Sequence, residues 1–550
     1  MGAEEVVVRF GRRAVAAHLP AQVYLPVMPE DLPERSILER LEVALVERNI
    51  QEGFSLLDAC TRVSPENPEG ISLLLCLAQW VDLGYRDLGF LEEHHARFAQ
   101  TEIANLRFLD ALKWKLANAF RSLATEDLEE CIASLDLILR AGEGVLSPHL
   151  RFVAHFWKGR AHRKKGEYEA ALLHIAAARE TAEEAGASRL VASTKIHEGW
   201  LVFQRGERRR AAQLMDEAEA ELNSTGHALS LGNIESARGR LVRRTGDYAK
   251  ALAHFEHAIA IYSSAFPDHP NCARALVNAA YVKGLIAHEM QSKIGKGPAK
   301  GTAHSRYLAV FREALELLSR AGEIYALSHH QTGLGSVLVN SGHLHLESGD
   351  IEKAAAEADK AFTLGEEKRD QILMARARIL EAAIELALAD EEIAEHPDAS
   401  FHAARALEHA EEAIELACHT QNKRLLAEAY LMRGAAAADE RFQDWETAKI
   451  YANKANDLLS KEDRDHLLKE LGALKTKIYR ATGIDQTLRE WSDGQLGNKT
   501  FQQIQEEFAE IVIPKVWLNH GKNITRVAQQ LAISPKKVRR ILRNVQTRDS

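Results

Sequence analysis

Between Gly246 and Tyr262 the chain reads GDYAKALAHFEHAIAIY, with Ala251, Phe255 and Ala258 separated by four and then three positions. On an α-helix that spacing falls on one face. The same arrangement returns at a fixed step of 40 residues. Gly159, Gly199 and Gly239 keep this step, as do Gly166, Gly206 and Gly246, and so do Ala171, Ala211 and Ala251. Ala178, Ala218 and Ala258 form a further column, with Ile175, Met215 and Phe255 between the two alanine columns. Each unit predicts a first helix with a small residue where another helix comes close. A glycine seven residues later stops that helix, where a left-handed backbone costs least, and a second, amphipathic helix follows. Such a hairpin cannot bury its apolar face alone and must stack on its neighbours. The predicted fold class is all-α, a superhelical solenoid of helix hairpins.

The columns resemble the tetratricopeptide repeat: a small residue, six positions, Gly-x-aromatic, then Ala, a bulky residue and Ala. That family's unit is about 34 residues, so the 40-residue step implies longer helices. The pattern returns at Gly342, Gly349, Ala354 and Ala361, and again, with two extra residues, at Gly434, Trp445, Ala448 and Ala455. A weaker copy uses Ala119, Cys131, Leu135 and Ile138. Surplus residues are expected around Pro267–Pro270 and in KIGKGPAKGT (Lys293–Thr302), where the order of a phosphate-binding glycine loop is absent. An acidic hairpin extension is expected at 389–401. The expected organisation is a lead-in over 1–33 with a possible short strand at EVVVRF, a tetratricopeptide-like solenoid over 34–480, a linker over 481–499 and a separate domain over 500–550.

In that last domain, Thr500 and Gln503 form a capping box that starts a helix at Phe501, and Pro514 is expected to open the next helix. The stretch GKNITRVAQQLAISPKKVRRILRN then predicts two short helices joined by Ala532-Ile533-Ser534. Val527, Ala528 and Leu531 face inward on the first helix, and Val538, Ile541 and Leu542 on the second. Ser534 caps the second helix and Pro535 occupies its first turn. A basic second helix after a three-residue turn reads as a helix-turn-helix, whose second helix fits the DNA major groove.

This block resembles the C-terminal DNA-binding domain of the Fis (factor for inversion stimulation) family, through Gly521, Asn523, Thr525, Ala528, Leu531, Ile533 and Ser534. Lys522, Val527, Ala532 and Pro535 depart from its pattern. The resemblance implies that Lys536, Lys537, Arg539 and Arg540 reach bases or phosphates of double-stranded DNA, while Thr525, Arg526 and Arg543 hold the backbone and set register, and it counts Ser534 among the DNA-binding residues. It also implies a homodimer through residues 500–520, which would present paired half-sites.

Charge reinforces the division. Residues 511–550 carry nine Lys/Arg and one acid, a net +8 that leaves −17 on residues 1–510 out of the chain's −9. With 46% hydrophobic and 27% charged residues and 13 prolines, the chain is foldable throughout and favours helix. Five scattered cysteines (Cys60, Cys76, Cys131, Cys272, Cys418) without a CxxC pair argue against a zinc ribbon or disulfide scaffold and for a reducing compartment. The acidic start and the lack of a long apolar run predict a cytoplasmic protein with no membrane span.

No HExxH, GxSxG or paired-carboxylate pattern is present. The expectation is accordingly no enzyme, no catalytic residue, no metal and no cofactor. Arg238, Asn340 and Arg433, just before their column glycines, are candidates for a groove that takes a peptide or protein ligand. The resulting reading is a transcription regulator in which the solenoid senses a partner and the helix-turn-helix binds DNA. The alternative is a non-enzymatic interaction scaffold that docks a protease or signalling protein.

Overall fold

The computed structural model describes residues 36–59, 68–101, 105–294, 302–391, 397–460, 462–482, 488, 491, 494 and 499–548. The lead-in 1–33, Cys60, most of the 481–499 linker and the centres of the two expected insertions lie outside these. Among the described residues ten helix hairpins follow one another: α1 (Ile37–Val46) with α2 (Ile50–Ala59), α3 (Gly70–Asp82) with α4 (Leu88–Ala96), α5 (Phe108–Ala124) with α6 (Leu128–Ala141), α7 (Pro148–Lys165) with α8 (Tyr168–Glu184), and α9 (Ser188–Gln204) with α10 (Arg208–Leu222). Next come α11 (Ala228–Arg243) with α12 (Tyr248–Ala265), α13 (Pro270–Ile294) with α14 (Thr302–Leu327), α15 (Gln331–Glu347) with α16 (Ile351–Lys368), α17 (Gln371–Glu391) with α18 (Pro397–Cys418), and α19 (Lys423–Ala437) with α20 (Trp445–Leu458). A single helix, α21 (His466–Thr482), covers the last hairpin.

The columns explain the packing. Ala171, Ala211, Ala251, Ala178, Ala218 and Ala258 are all fully buried. Within each hairpin the column glycine faces the bulky column residue: a Cβ on Gly239 would lie 2.7 Å from the Phe255 ring, and one on Gly199 2.5 Å from Met215. Any larger residue would push the two helices apart. Much of the surplus expected between Gly246 and Gly349 goes into helix length, since α13 and α14 run for 25 and 26 residues.

Successive turns of the superhelix touch. The backbone N–H of Gln421 donates to the Gly166 carbonyl at 3.0 Å, and that of Arg464 to the Arg244 carbonyl at 2.8 Å. Glu126 accepts from the N–H of Thr332 at 2.9 Å. A latch forms at the loop before α21, where Asp463 and Asp465 are buried. Arg424 pairs with both carboxylates, and Arg208 reaches Asp463 and the Glu462 carbonyl. The stop glycines make this close approach possible. Gly166, Gly206 and Gly246 have φ of +82°, +91° and +80°, and a Cβ on Gly246 would meet the Arg464 carbonyl oxygen at 2.7 Å.

Residues 499–548 form three helices, α22 (Phe501–Asn519), α23 (Ile524–Gln530) and α24 (Pro535–Arg548). The Thr500–Gln503 capping box starts α22. Pro514 does not open a new helix as expected but lies inside α22. The apolar run on both sides of the proline keeps the helix continuous against the core of Ile513, Val527, Ala528, Val538 and Ile541. Ala532 takes the left-handed backbone, φ +50°, that the turn requires.

Candidate ligand groove

The first helices of the hairpins line the inner face, and one register repeats along it. Two residues before each column glycine and one after it, the side chain faces a cavity: Trp157 and Arg160 around Gly159, His197 and Trp200 around Gly199, Ala237 and Arg240 around Gly239. Asn340 and His343 around Gly342, and Met432 and Ala435 around Gly434, continue it. Positions three apart share a helix face, whereas the residue between them is turned away. At four of these five glycines the preceding residue is held by the second helix of the preceding hairpin, whereas Ser341 donates to Glu357 of its own hairpin. Lys158 pairs with Asp136 at 2.5 Å, Glu198 with Arg179 at 2.6 Å, Arg238 with Asp216 and Glu219 at 2.7 Å, and Arg433 with Glu411 at 2.9 Å.

The three sequence candidates for the groove therefore separate. Asn340 lines the cavity, its Nδ2 donating to the Ser336 carbonyl at 2.6 Å. Arg238 and Arg433 do not line it. Each is spent on carboxylates between hairpins, and those carboxylates hold the Arg238 guanidinium proton more tightly than usual despite partial burial. The inner-face arginines went unread because they stand on the other side of the column glycine. Counting from Gly159 and Gly239 with helical periodicity would have found them.

Two cavities, a first and a second chamber, lie along this inner face. The first, about 140 Å³, lies inside the first superhelical turn. Arg48, Arg160, Arg163, Arg240 and Arg274 face it, and Asp82 is the one carboxylate among its lining residues. Asp82 accepts from Trp157 Nε1 at 2.9 Å and from Arg160 Nη1 at 2.5 Å. Arg274 donates to Asn233 and Asn271, both at 2.8 Å. Arg163 lies over the Trp200 ring at 5.1 Å. Arg163 and Arg240 have no carboxylate partner among the described residues, and the Nε atoms of Arg163, Arg240 and Arg274 are buried without an acceptor. Burial, together with the neighbouring guanidinium groups, pushes Arg163 and Arg240 down to about 9. Burial holds His149 at about 4 and His227 at about 3, so both are neutral at pH 7.

The second chamber is larger, about 760 Å³, and is lined by apolar side chains including Leu285, Leu344, Ile379, Leu386, Leu431 and Leu474. Polar and charged residues share the lining, among them Tyr281, Asn340, His343, Glu428, His466 and Glu470. Tyr281 and His466 share a hydrogen bond at 2.8 Å, and burial raises the Glu428 carboxyl against the pull of Arg376 and Arg424. An apolar volume with scattered orienting groups is the usual make-up of a ligand site.

The C-terminal site residues lie on α23, the turn after it and α24. Thr525, Arg526, Ser534, Lys536, Lys537, Arg539, Arg540 and Arg543 are all exposed. Ser534 Oγ is also engaged locally, accepting from the Lys537 N–H at 3.2 Å and so capping α24. Val538 and Ile541, on the opposite side of α24, are buried.

Residues 230–288, which span α11, α12 and most of α13, match the tetratricopeptide repeat family. The solenoid has the tetratricopeptide-repeat fold. Among solved structures it is similar to a Rap protein complexed with competence and sporulation factor, at TM-score 0.50 and 14% identity over 74% of this chain and 99% of that one. It is also similar to the apo form of the quorum sensor NprR from B. thuringiensis, at TM-score 0.43 and 16% identity, covering 77% of this chain and 98% of that one. NprR in complex with its cognate peptide NprX aligns at TM-score 0.41 and 16% identity, over 62% and 92% of the two chains. No curated protein matches the sequence. No helix among the described residues of the tetratricopeptide solenoid or the C-terminal unit is long and apolar enough to cross a membrane, and no cluster of metal-binding side chains occurs among them.

Proposed function

We propose that the protein is a DNA-binding transcription regulator in which the tetratricopeptide solenoid takes a peptide ligand and residues 500–550 form a Fis-like helix-turn-helix. The observation that carries the DNA-binding half is α24. Its Lys536, Lys537, Arg539, Arg540 and Arg543 lie exposed opposite Val538 and Ile541, behind a tight turn with Ala532 in the left-handed region. A short amphipathic helix with a basic outer face suits the major groove, where arginine forks onto guanine. The peptide-binding half is supported by the second chamber, whose volume falls within the roughly 300–1,000 Å³ of typical ligand pockets. The fold shared with the Rap complex is consistent with it.

Pairing of two copies is part of this reading. α22 is apolar on two sides. Ala509, Ile513, Val516 and Trp517 pack on the C-terminal core, while Phe501, Phe508 and Leu518 are exposed by 74%, 49% and 58%. A second copy covering that outer stripe would set two basic helices side by side. The protein acts by binding, without catalysis or a cofactor.

Fluorescence anisotropy on duplex DNA across a salt series tests the proposal with full-length protein and with an Arg539→Ala/Arg540→Ala variant. The wild type should bind with steep salt dependence. If both arginines contact phosphates, the variant should lose about 1.8 per copy from the log–log slope. Wild-type protein that fails to bind duplex DNA at low salt sinks the regulator reading and leaves the interaction scaffold.

A further inference from the structure

We infer that the first chamber is an oxyanion site that receives the negatively charged end of the ligand, a carboxylate or phosphate group. The inference rests on the reading of the inner face as a ligand groove and specifies what one end of that groove recognises. Five guanidinium groups converge on about 140 Å³, and a single carboxylate, Asp82, lines the same space. Asp82 is already committed to Trp157 and Arg160. Nothing in the wall therefore neutralises Arg163 or Arg240.

A protein core does not gather like charges without cause. Cations held together in a low dielectric repel one another, and buried donors without acceptors forfeit hydrogen bonds. Here both penalties fall on the same groups, because the Nε atoms of Arg163, Arg240 and Arg274 are buried without partners. One oxyanion placed among them would relieve both at once. Guanidinium groups meet carboxylates and phosphates through paired N–H donors, which makes arginine the residue suited to this task.

The donors are also held in place. Trp200 lies beneath Arg163 at 5.1 Å and Phe156 near Arg160 at 5.7 Å, while Asn233 and Asn271 fix Arg274. A site arranged before the ligand arrives loses little side-chain entropy on binding. The chamber is smaller than the roughly 300 Å³ of a site that encloses a whole small molecule. It therefore suits a terminal group whose remainder extends along the groove.

The test uses full-length protein, thermal unfolding and tryptophan fluorescence. The probes are pyrophosphate, the N-acetylated peptide Ala-Ala-Glu-Glu with a free C-terminus, and its uncharged counterpart N-acetyl-Ala-Ala-Gln-Gln-amide. Pyrophosphate or the acidic peptide should raise Tm, and the uncharged peptide should not. Binding of pyrophosphate alone would identify phosphate as the source of the oxyanion, and binding of the acidic peptide alone would identify carboxylate. Arg163→Gln and Arg240→Gln should each weaken anion binding roughly tenfold or more, the scale of one charge-assisted hydrogen bond.

A second readout separates recognition from architecture. Without ligand, the Arg163→Gln/Arg240→Gln protein should melt at or above the wild-type Tm, because the groups removed repel their neighbours. A lower Tm with anion binding unchanged would mean that the arginines only support the fold. Equal binding of charged and uncharged peptides, or no response to either anion at millimolar concentration, would also overturn the site. DNA anisotropy on the same preparations keeps this result separate from the regulator reading, since α24 takes no part in the chamber.

Discussion

Gly246 and Gly349 occupy the same place in their repeats, with φ of +80° and +82°, yet their surroundings differ. Nothing lies within 4 Å of a Cβ built on Gly349, whereas one on Gly246 meets the Arg464 carbonyl oxygen at 2.7 Å. Alanine at either position must adopt a left-handed backbone, at about 1–2 kcal/mol, and this cost cancels in the comparison. Gly246→Ala additionally forces the neighbouring superhelical turn away and removes the hydrogen bond from Arg464 N–H to the Arg244 carbonyl. The lost bond is worth about 1 kcal/mol, and overpacking against a backbone adds about 1–3 kcal/mol. The expected difference between the variants is thus about 2–4 kcal/mol by these two contributions. A long repeat array need not unfold in one step, so the informative assay is amide hydrogen exchange in the loop carrying Asp463–Asp465. There, about 2 kcal/mol already speeds exchange roughly thirtyfold. Gly349→Ala should leave that loop protected as in the wild type. Equal exchange in the two variants would refute the contact between turns and the packing argument built on it.

Three further outcomes follow from contacts already described. Asp465→Ala leaves the Arg424 guanidinium without this buried partner and should cost about 3–5 kcal/mol, read as faster amide exchange in the same loop, with Asp463 recovering part of the loss. Against the effect of burial, Lys164, His330 and the Thr332 N–H pull the Glu126 carboxyl down to about 2. Its contribution is therefore complete above about pH 4.5 and is lost as pH falls towards 2, and Glu126→Gln should flatten that acid limb in a Tm-versus-pH series. Phe508→Glu places a charge on the outer stripe of α22 and should shift full-length protein towards monomer in sedimentation velocity, while circular dichroism stays unchanged. A wild type that sediments as a monomer at every concentration would remove the pairing from the proposed function.

The architecture could be read because the repeat columns are packing devices. Gly239 against Phe255 and Gly199 against Met215 are pairs that no other arrangement of those helices would need. The capping box at Thr500 was equally readable, since its hydrogen bonds join residues three apart. Pro514 misled because a proline inside a helix and one at its start look alike in sequence. Here the flanking apolar residues, through their contacts with α23 and α24, carry the helix through. The groove was legible in its helices and not in its register. Arg238 and Arg240 look equivalent in the string, and only the 3.6-residue turn sends one to Glu219 and the other into the chamber. The contacts between superhelical turns had no local signal, since Glu126 and Thr332 or Arg244 and Arg464 meet only once several hairpins have been stacked.

Those distant contacts bear on how the protein is made. In a simple repeat array each unit finds its neighbours almost as soon as it leaves the ribosome. Here the Arg244 carbonyl waits for Arg464, 220 residues later in the sequence, which at about 5–20 residues per second means about 10–40 s of synthesis. For that interval the rim formed by Gly166, Gly206 and Gly246 stands open to solvent and to chaperones. The final loop before α21 adds the last of these contacts, so a chain truncated before residue 460 keeps the Gln421–Gly166 and Thr332–Glu126 contacts and lacks the Asp463–Asp465 latch.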